Sequence, residues 1–180
     1  MANKTVFVDR DGTINVNVEY LDNPEGFQMY PGVAEGIKLL NEHGFLVIVV
    51  TNQSGIARGY YTKETLDKIH ERMISELKEK GAKIDGLYFC PHHPDDNCDC
   101  RKPKTGMLEM AFAEYDVDAL KSFIIGDRMI DVEAGYKLKL KTILVPERIE
   151  QVKLERQKSN IEPDYVCDNF LQGVHWILKQ

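Results

Sequence analysis

The sequence predicts an α/β fold with a mostly parallel sheet flanked by helices. Three observations carry that expectation. Short apolar, β-branched runs alternate with segments of helical period from end to end. The longest apolar run, Phe45–Val50, is continuous rather than alternating, the pattern of a strand covered on both faces. The 180 residues are 43% hydrophobic and 29% charged, enough for one core of ordinary globular composition.

Taken in order, Thr5–Val8 reads as a strand ending at Asp9. Pro31-Gly32 opens a helix with Val33, Ile37 and Leu40 on one face, and Gly44 stops it. Phe45–Val50 is the second strand. Thr62 is a suitable N-cap for a long helix whose core face is Leu66, Ile69, Met73 and Leu77, ending at Gly81. Leu87–Phe89 is a short strand, Gly106–Tyr115 a helix and Phe123–Ile125 a buried strand running into Gly126-Asp127. Asp131–Leu138 is a short helix, Thr142–Val145 a strand and Asn169–Leu178 a final helix. The charged run Arg148–Asn160 reads as a solvated helix or loop. Asn15–Tyr30 and Cys90–Thr105 are irregular, the first a candidate substrate loop and the second a candidate metal loop.

Composition excludes several classes. A run of six apolar residues is far short of the roughly 20 that span a membrane. The N-terminus has no apolar signal region. A net charge of −6 disfavours a nucleic-acid backbone as partner, though not a small anion held by a local cation. The four cysteines are Cys90, Cys98, Cys100 and Cys167. Three of them cluster with His92 and His93, which suits a metal site in a reducing, cytoplasmic compartment better than a disulfide scaffold. Cys167 stands apart and reads as a buried, inert thiol.

Parallel sheets place ligand sites beyond the carboxyl ends of their strands. Asp9, Thr51 and Asp127 each follow a buried run directly, so a parallel sheet brings them to one edge. Asp11 lies two residues past Asp9, and a turn at Gly12 can aim both acids at one pocket. Singly, each aspartate reads more readily as a turn or cap residue than as a ligand. Together, crowded carboxylates call for a cation, and an all-oxygen set of this kind suits Mg²⁺. Thr51-Asn52-Gln53-Ser54-Gly55 offers hydroxyl, amide and backbone N–H donors for a phosphate. Arg101 and Lys102 supply cations.

The strings Asp9-Arg10-Asp11-Gly12-Thr13, Thr51-Asn52-Gln53-Ser54-Gly55, Lys102 and Gly126-Asp127-Arg128-Met129-Ile130-Asp131 resemble, in order, the four motifs of the haloacid-dehalogenase-like phosphatases. Thr51–Gly59 and Cys90-Pro91-His92 through Cys98-Asp99-Cys100-Arg101-Lys102-Pro103 narrow the resemblance to the heptose 1,7-bisphosphate phosphatase family, with the histidinol-phosphate phosphatases as relatives. The resemblance spans residues 4–145. It implies a Rossmann-like parallel sheet without a large cap domain, forming one domain over residues 1–180 with a zinc loop at 90–102. It implies Asp9 as nucleophile, Asp11 as general acid and base, and Mg²⁺ on the Asp9 and Asp127 carboxylates and the Asp11 backbone carbonyl. Thr51 and Lys102 would bind phosphoryl oxygens, with Asn52 and Gln53 beside them. Asn17, Val18, Glu19, Tyr20, Ser54 and Arg101 would approach a sugar bisphosphate, with Arg101 on its second phosphate. Arg128 is given a general cationic role, and Asp131 orients Lys102 or a water on the metal.

The pairs Cys90/His92 and Cys98/Cys100, with five residues between them, can close a tetrahedral site for structural Zn²⁺. Spacing alone leaves a redox pair open and does not separate His92 from His93. The resemblance selects zinc and His92. It also implies a phosphatase that removes the C7 phosphate. The capless build and the acidic charge balance point to a monomer. The histidinol-phosphate reaction is the alternative within the class, and a receiver-like module phosphorylated on aspartate is the alternative outside it.

Overall fold

The computed structural model describes residues 2–180. Six strands form one sheet: β1 (Thr5–Val8), β2 (Leu46–Asn52), β3 (Gly86–Cys90), β4 (Phe123–Gly126), β5 (Lys141–Leu144) and β6 (Tyr165–Val166). Their order is β3-β2-β1-β4-β5-β6 and every pairing is parallel. The chain winds outward from β1 in one direction and then, from β4, in the other. A crevice therefore opens beyond the carboxyl ends of β1 and β4, where the winding reverses.

The helices are α1 (Val33–Glu42), α2 (Lys63–Glu79), α3 (Gly106–Tyr115), α4 (Met129–Lys137), α5 (Ile149–Lys158) and α6 (Phe170–Ile177). Strand side chains alternate between faces. Val6, Val8, Val47 and Val49 pack with Ile37 and Leu40 of α1, Ile69 and Met73 of α2 and Val174 of α6. Phe7, Ile48, Val50 and Ile124 face the other way, against Met107, Leu108 and Ala111 of α3 and Ala134 of α4. Burial on both sides explains the unbroken apolar runs Val6–Val8, Leu46–Val50 and Phe123–Ile125 in these strands.

Most predicted elements appear within two residues of their expected ends. Thr62 caps α2, its hydroxyl accepting from the Thr65 N–H. The charged run after position 148 is helical, with Val152 its one buried side chain. Two expectations are corrected. The helix expected to start at Asp131 starts at Met129, because the Asp131 carboxylate accepts the Arg128 N–H from the third helical position. The strand β6 was not expected: two residues carry no period to read.

Candidate active site

Asp9 is the first residue beyond β1, and its N–H donates to the Ile125 carbonyl at 2.9 Å, locking the motif to the neighbouring strand. The chain then turns at Gly12, whose φ of 84° favours glycine and whose Cβ, if present, would lie 2.5 Å from Asp127 Oδ2. A cleft of about 240 Å³ opens over these strand ends. Its walls hold Asp9, Asp11, Asn17, Val18, Glu19, Tyr20, Thr51, Asn52, Gln53, Ser54, Arg101, Lys102, Asp127 and Arg128, so residues predicted from five separate stretches meet at one edge.

The acids do not crowd as predicted. The carboxylates of Asp9, Asp127 and Asp131 have ligand oxygens within 4.8 Å of one another, and Asp11 is not among them. The Asp11 side chain thus stands outside the cluster, which leaves untouched the ligand that the resemblance implies there, its backbone carbonyl. Asp11 turns towards Arg10, which binds it through Nη2 at 2.7 and 2.8 Å and through Nε at 3.1 Å. Asn15 Nδ2 (3.0 Å) and Gln53 Nε2 (2.8 Å) complete its set of donors. Burial pushes the Asp11 carboxyl up, but the Arg10 charge and these hydrogen bonds outweigh it and hold it below the usual carboxylate range.

Lys102 is the buried counter-charge. Its Nζ donates to Asp131 Oδ1 at 2.6 Å, the Val50 carbonyl at 2.7 Å and Asp9 Oδ1 at 2.8 Å, which uses all three of its protons. Burial pulls its pKa down, yet the two carboxylates overcome this and raise it. The Asp131 side chain, predicted to serve Lys102 or the metal, does contact Lys102 and also lies in the acid cluster. Gly126 permits that placement, since a Cβ there would come within 2.2 Å of the Asp131 carboxyl carbon. One ammonium does not balance three acids. Asp127 carries the deficit: burial first, then the charges of Asp9 and Asp131, push its carboxyl up to about 9, and its Oδ1 is buried without a partner. An orphaned buried oxygen within an all-carboxylate set fits a divalent cation bound by oxygen.

Several supporting contacts were invisible in the sequence because they depend on side-chain direction. The Asn52 side-chain amide clamps the Lys102 backbone, donating to the carbonyl and accepting from the N–H, both at 3.1 Å. Gln53 bridges Asp11 and Thr51 Oγ1 (2.8 Å), and the Tyr61 hydroxyl fixes its amide by donating to Oε1 at 2.6 Å. Arg10, flanked by two aspartates, is 1% exposed, with Nη1 3.1 Å from His70 Nε2 of α2. Burial and the Arg10 charge push His70 down to about 3, so it stays neutral. Arg128 is occupied by Glu155 of α5, with Nε at 2.9 Å, whereas one buried Arg101 terminal nitrogen has no partner and that side chain faces the cleft.

The loop after β3 gathers Cys90, His92, Cys98 and Cys100. Their ligand atoms are 3.2 to 3.6 Å apart along four edges. Tetrahedral Zn²⁺ with bonds of roughly 2.0–2.3 Å sets ligand edges of about 3.5–3.8 Å, so this set can hold zinc with small adjustment. His93 is engaged elsewhere: its Nδ1 accepts from the Asp95 N–H and caps the turn Pro94–Asp96, which resolves the choice of histidine. Cys167 is a buried free thiol, pushed up to about 11 by burial.

Comparison with known proteins agrees with this geometry. A HAD-hydrolase-like family model matches residues 99–173. The chain is 38% identical to D-glycero-beta-D-manno-heptose-1,7-bisphosphate 7-phosphatase from Haemophilus ducreyi, covering 98% of this chain and 100% of that one. It is 39% identical to the enzyme of the same name from Helicobacter pylori, covering 98% of each. The crystal structure of D,D-heptose 1,7-bisphosphate phosphatase from B. bronchiseptica, complexed with magnesium and phosphate, superposes with a TM-score of 0.88 at 30% identity over 98% of both chains. A parallel sheet in this order, an acid cluster at the β1/β4 crevice and similarity over nearly the full length lead to one conclusion: the chain belongs to the D-glycero-D-manno-heptose 1,7-bisphosphate 7-phosphatase family of HAD-like hydrolases.

Proposed function

We propose that the protein is a phosphatase that removes the C7 phosphate of D-glycero-D-manno-heptose 1,7-bisphosphate through an aspartyl-phosphate on Asp9. The observation that carries this reading is the partnerless, buried Asp127 carboxylate beside Asp9 and Lys102. It marks a place where a divalent cation and a phosphate can meet a carboxylate nucleophile. The names of the relatives support the substrate and its β anomer.

Asp9 attacks phosphorus in line, and the sugar oxygen leaves. Asp9 and Asp127 would hold Mg²⁺, with the Asp11 backbone carbonyl. Magnesium, when bound, offsets the negative charge that nucleophile and phosphate dianion bring together. Lys102 lies between Asp9 and Asp131 and can hand one proton contact to an incoming phosphoryl oxygen. The Thr51 hydroxyl accepts from Gln53 and keeps its own proton for that phosphoryl group.

Asp11 serves two half-reactions. With Arg10 beside it, it is ionised, the form needed to take a proton from the hydrolytic water. To protonate the leaving oxygen it must first gain a proton, and an arriving dianion raises its affinity for one. Arg101 is suited to grip the second phosphate bidentately, and Asn17, Val18, Glu19 and Tyr20 to cover the sugar. The zinc loop at 90–102 holds Arg101 and Lys102 in place.

We read residues 1–180 as one catalytic domain whose partner is a small sugar bisphosphate. The capless build and the acidic net charge of −6 favour a monomer. Four free thiols, three gathered for metal, suit the reducing cytoplasm. Among the described residues no helix is long and apolar enough to cross a membrane. The test is a kinetic comparison of the two heptose bisphosphate anomers with histidinol phosphate, with and without Mg²⁺. The reading predicts Mg²⁺-dependent release of the C7 phosphate and preference for the β anomer. Faster turnover of histidinol phosphate would overturn the substrate.

A further inference from the structure

The segment 16–29 leaves the catalytic motif and returns to it. The Val16 N–H donates to the Gln28 carbonyl and the Tyr30 N–H to the Ile14 carbonyl, both at 2.9 Å, while Asn15 bridges Met29 antiparallel. These contacts make a narrow neck. Glu147, in the connection after β5, clips both sides of it. Its Oε1 accepts the Asn17 N–H at 2.9 Å on the outgoing side and the Tyr30 hydroxyl on the returning side. Burial, then the hydrogen bond and charge of Glu147, push the Tyr30 hydroxyl above its usual range, so it remains a donor. At the cleft end, the Tyr20 ring meets Tyr60 edge-on with centroids 4.5 Å apart. The loop is thus held at base and tip, and the residues between, Asn17 to Tyr20, line the cleft.

The clip has a desolvation cost. Glu147 Oε2 is buried without a hydrogen-bond partner, and the nearest cation, Arg148 Nε, is 3.9 Å away. A carboxylate held mainly by two neutral donors, in a connection rather than in the sheet, makes a poor contribution to stability. What it does achieve is rigidity at the root of the loop that faces the part of the substrate away from the reacting phosphorus.

We propose that Glu147 is a positioning residue for substrate recognition: by joining Asn17 to Tyr30 it fixes the 16–29 loop in the conformation that covers the sugar. This rests on the reading above that the loop contacts a sugar bisphosphate. Glu147 touches neither the reacting phosphate nor the acid cluster. Its loss weakens the grip on a large substrate and spares chemistry on a small one.

The experiment compares wild type, Glu147→Ala, Glu147→Gln and Tyr30→Phe, all zinc- and magnesium-loaded. It uses heptose 1,7-bisphosphate and acetyl phosphate, the latter too small to reach the loop, together with amide exchange at Asn17. Glu147→Ala is expected to raise KM for the bisphosphate roughly tenfold or more. Its kcat and its hydrolysis of acetyl phosphate stay within about twofold of wild type, and Asn17 exchange quickens. Glu147→Gln recovers most of the KM, because its amide oxygen accepts the same two hydrogen bonds. Tyr30→Phe, which removes one donor and keeps the ring, raises KM by roughly two- to fivefold and guards against a poorly folded alanine variant. An unchanged KM in Glu147→Ala or Tyr30→Phe, or an equal loss on acetyl phosphate, overturns the proposal. Should wild type fail to turn over heptose bisphosphate, the substrate reading falls. The same KM comparison, run on the phosphoester that wild type prefers, then decides the role of Glu147.

Discussion

Lys102 Nζ lies 2.8 Å from Asp9 Oδ1, joining a loop held by the zinc-site cysteines to the first residue beyond β1 across 93 positions of sequence. The contact makes the zinc loop and the nucleophile one structure. It places a fixed positive charge where a carboxylate must approach a phosphate dianion.

Removing that charge affects both folding and turnover. Lys102→Met leaves the buried Asp131 facing the half-buried Asp9 with no cation between them. Breaking a buried pair costs about 3–5 kcal/mol. We expect a lower midpoint in urea unfolding at pH 7 and a fall in kcat of at least about a hundredfold. Midpoint and kcat both near wild type would mean that the lysine is dispensable.

Asp127 makes the metal-free protein sensitive to alkali. Its carboxyl is raised to about 9 in the fold, against about 3.9 when unfolded. Between those values the native state holds a proton that the unfolded chain has lost, so stability falls as pH rises. Thermal unfolding in a chelator specific for magnesium should show this decline from about pH 4 to pH 9. It should flatten in Asp127→Asn. Added Mg²⁺ should stabilise wild type at pH 8 and leave the variant unchanged.

His70 has the opposite sign. It is lowered to about 3 in the fold, against about 6.5 unfolded. The unfolded chain therefore binds the proton first, and stability is lost as pH falls through that window. His70→Gln, whose amide oxygen can still accept from Arg10, should lose less stability than wild type between pH 6.5 and pH 4. Parallel acid curves for the two proteins would show that His70 does not titrate on unfolding.

Zinc removal should be local in its effect. A thiol-competing chelator, or Cys98→Ser, is expected to quicken amide exchange over residues 90–102 and raise KM for the bisphosphate. The strands β1, β2 and β4 stay protected because helices α1, α2 and α6 cover one face of the sheet and α3 and α4 the other. Exchange quickening evenly along the chain would contradict a local staple.

Particular residues show how far the sequence could be read. The continuous run ending at Val50 and the strand-end positions of Asp9, Thr51 and Asp127 revealed sheet and cleft together, because strand burial and strand polarity are written in residue order. Side-chain direction is not written there. Asp11 was expected beside the acids and is held by Arg10, while Asp131 takes its place, because a turn at Gly12 and a helix start at Met129 aim them. Tyr61 and Glu147 were missed for the same reason: Tyr61 acts through one hydrogen bond to Gln53, and Glu147 through two, to Asn17 and Tyr30 at the far end of the chain. Arg10 shows the converse, a charged residue in a turn motif that the fold buries and pairs.

The central claim is that the Asp9 carboxylate is the attacking group. The direct measurement is turnover of heptose 1,7-bisphosphate by Asp9→Asn at saturating Mg²⁺. The amide oxygen can still accept from Lys102, so the fold is retained. We predict a loss of roughly a thousandfold or more in kcat with an unchanged unfolding midpoint. A folded Asp9→Asn protein within about tenfold of wild type would contradict the covalent route.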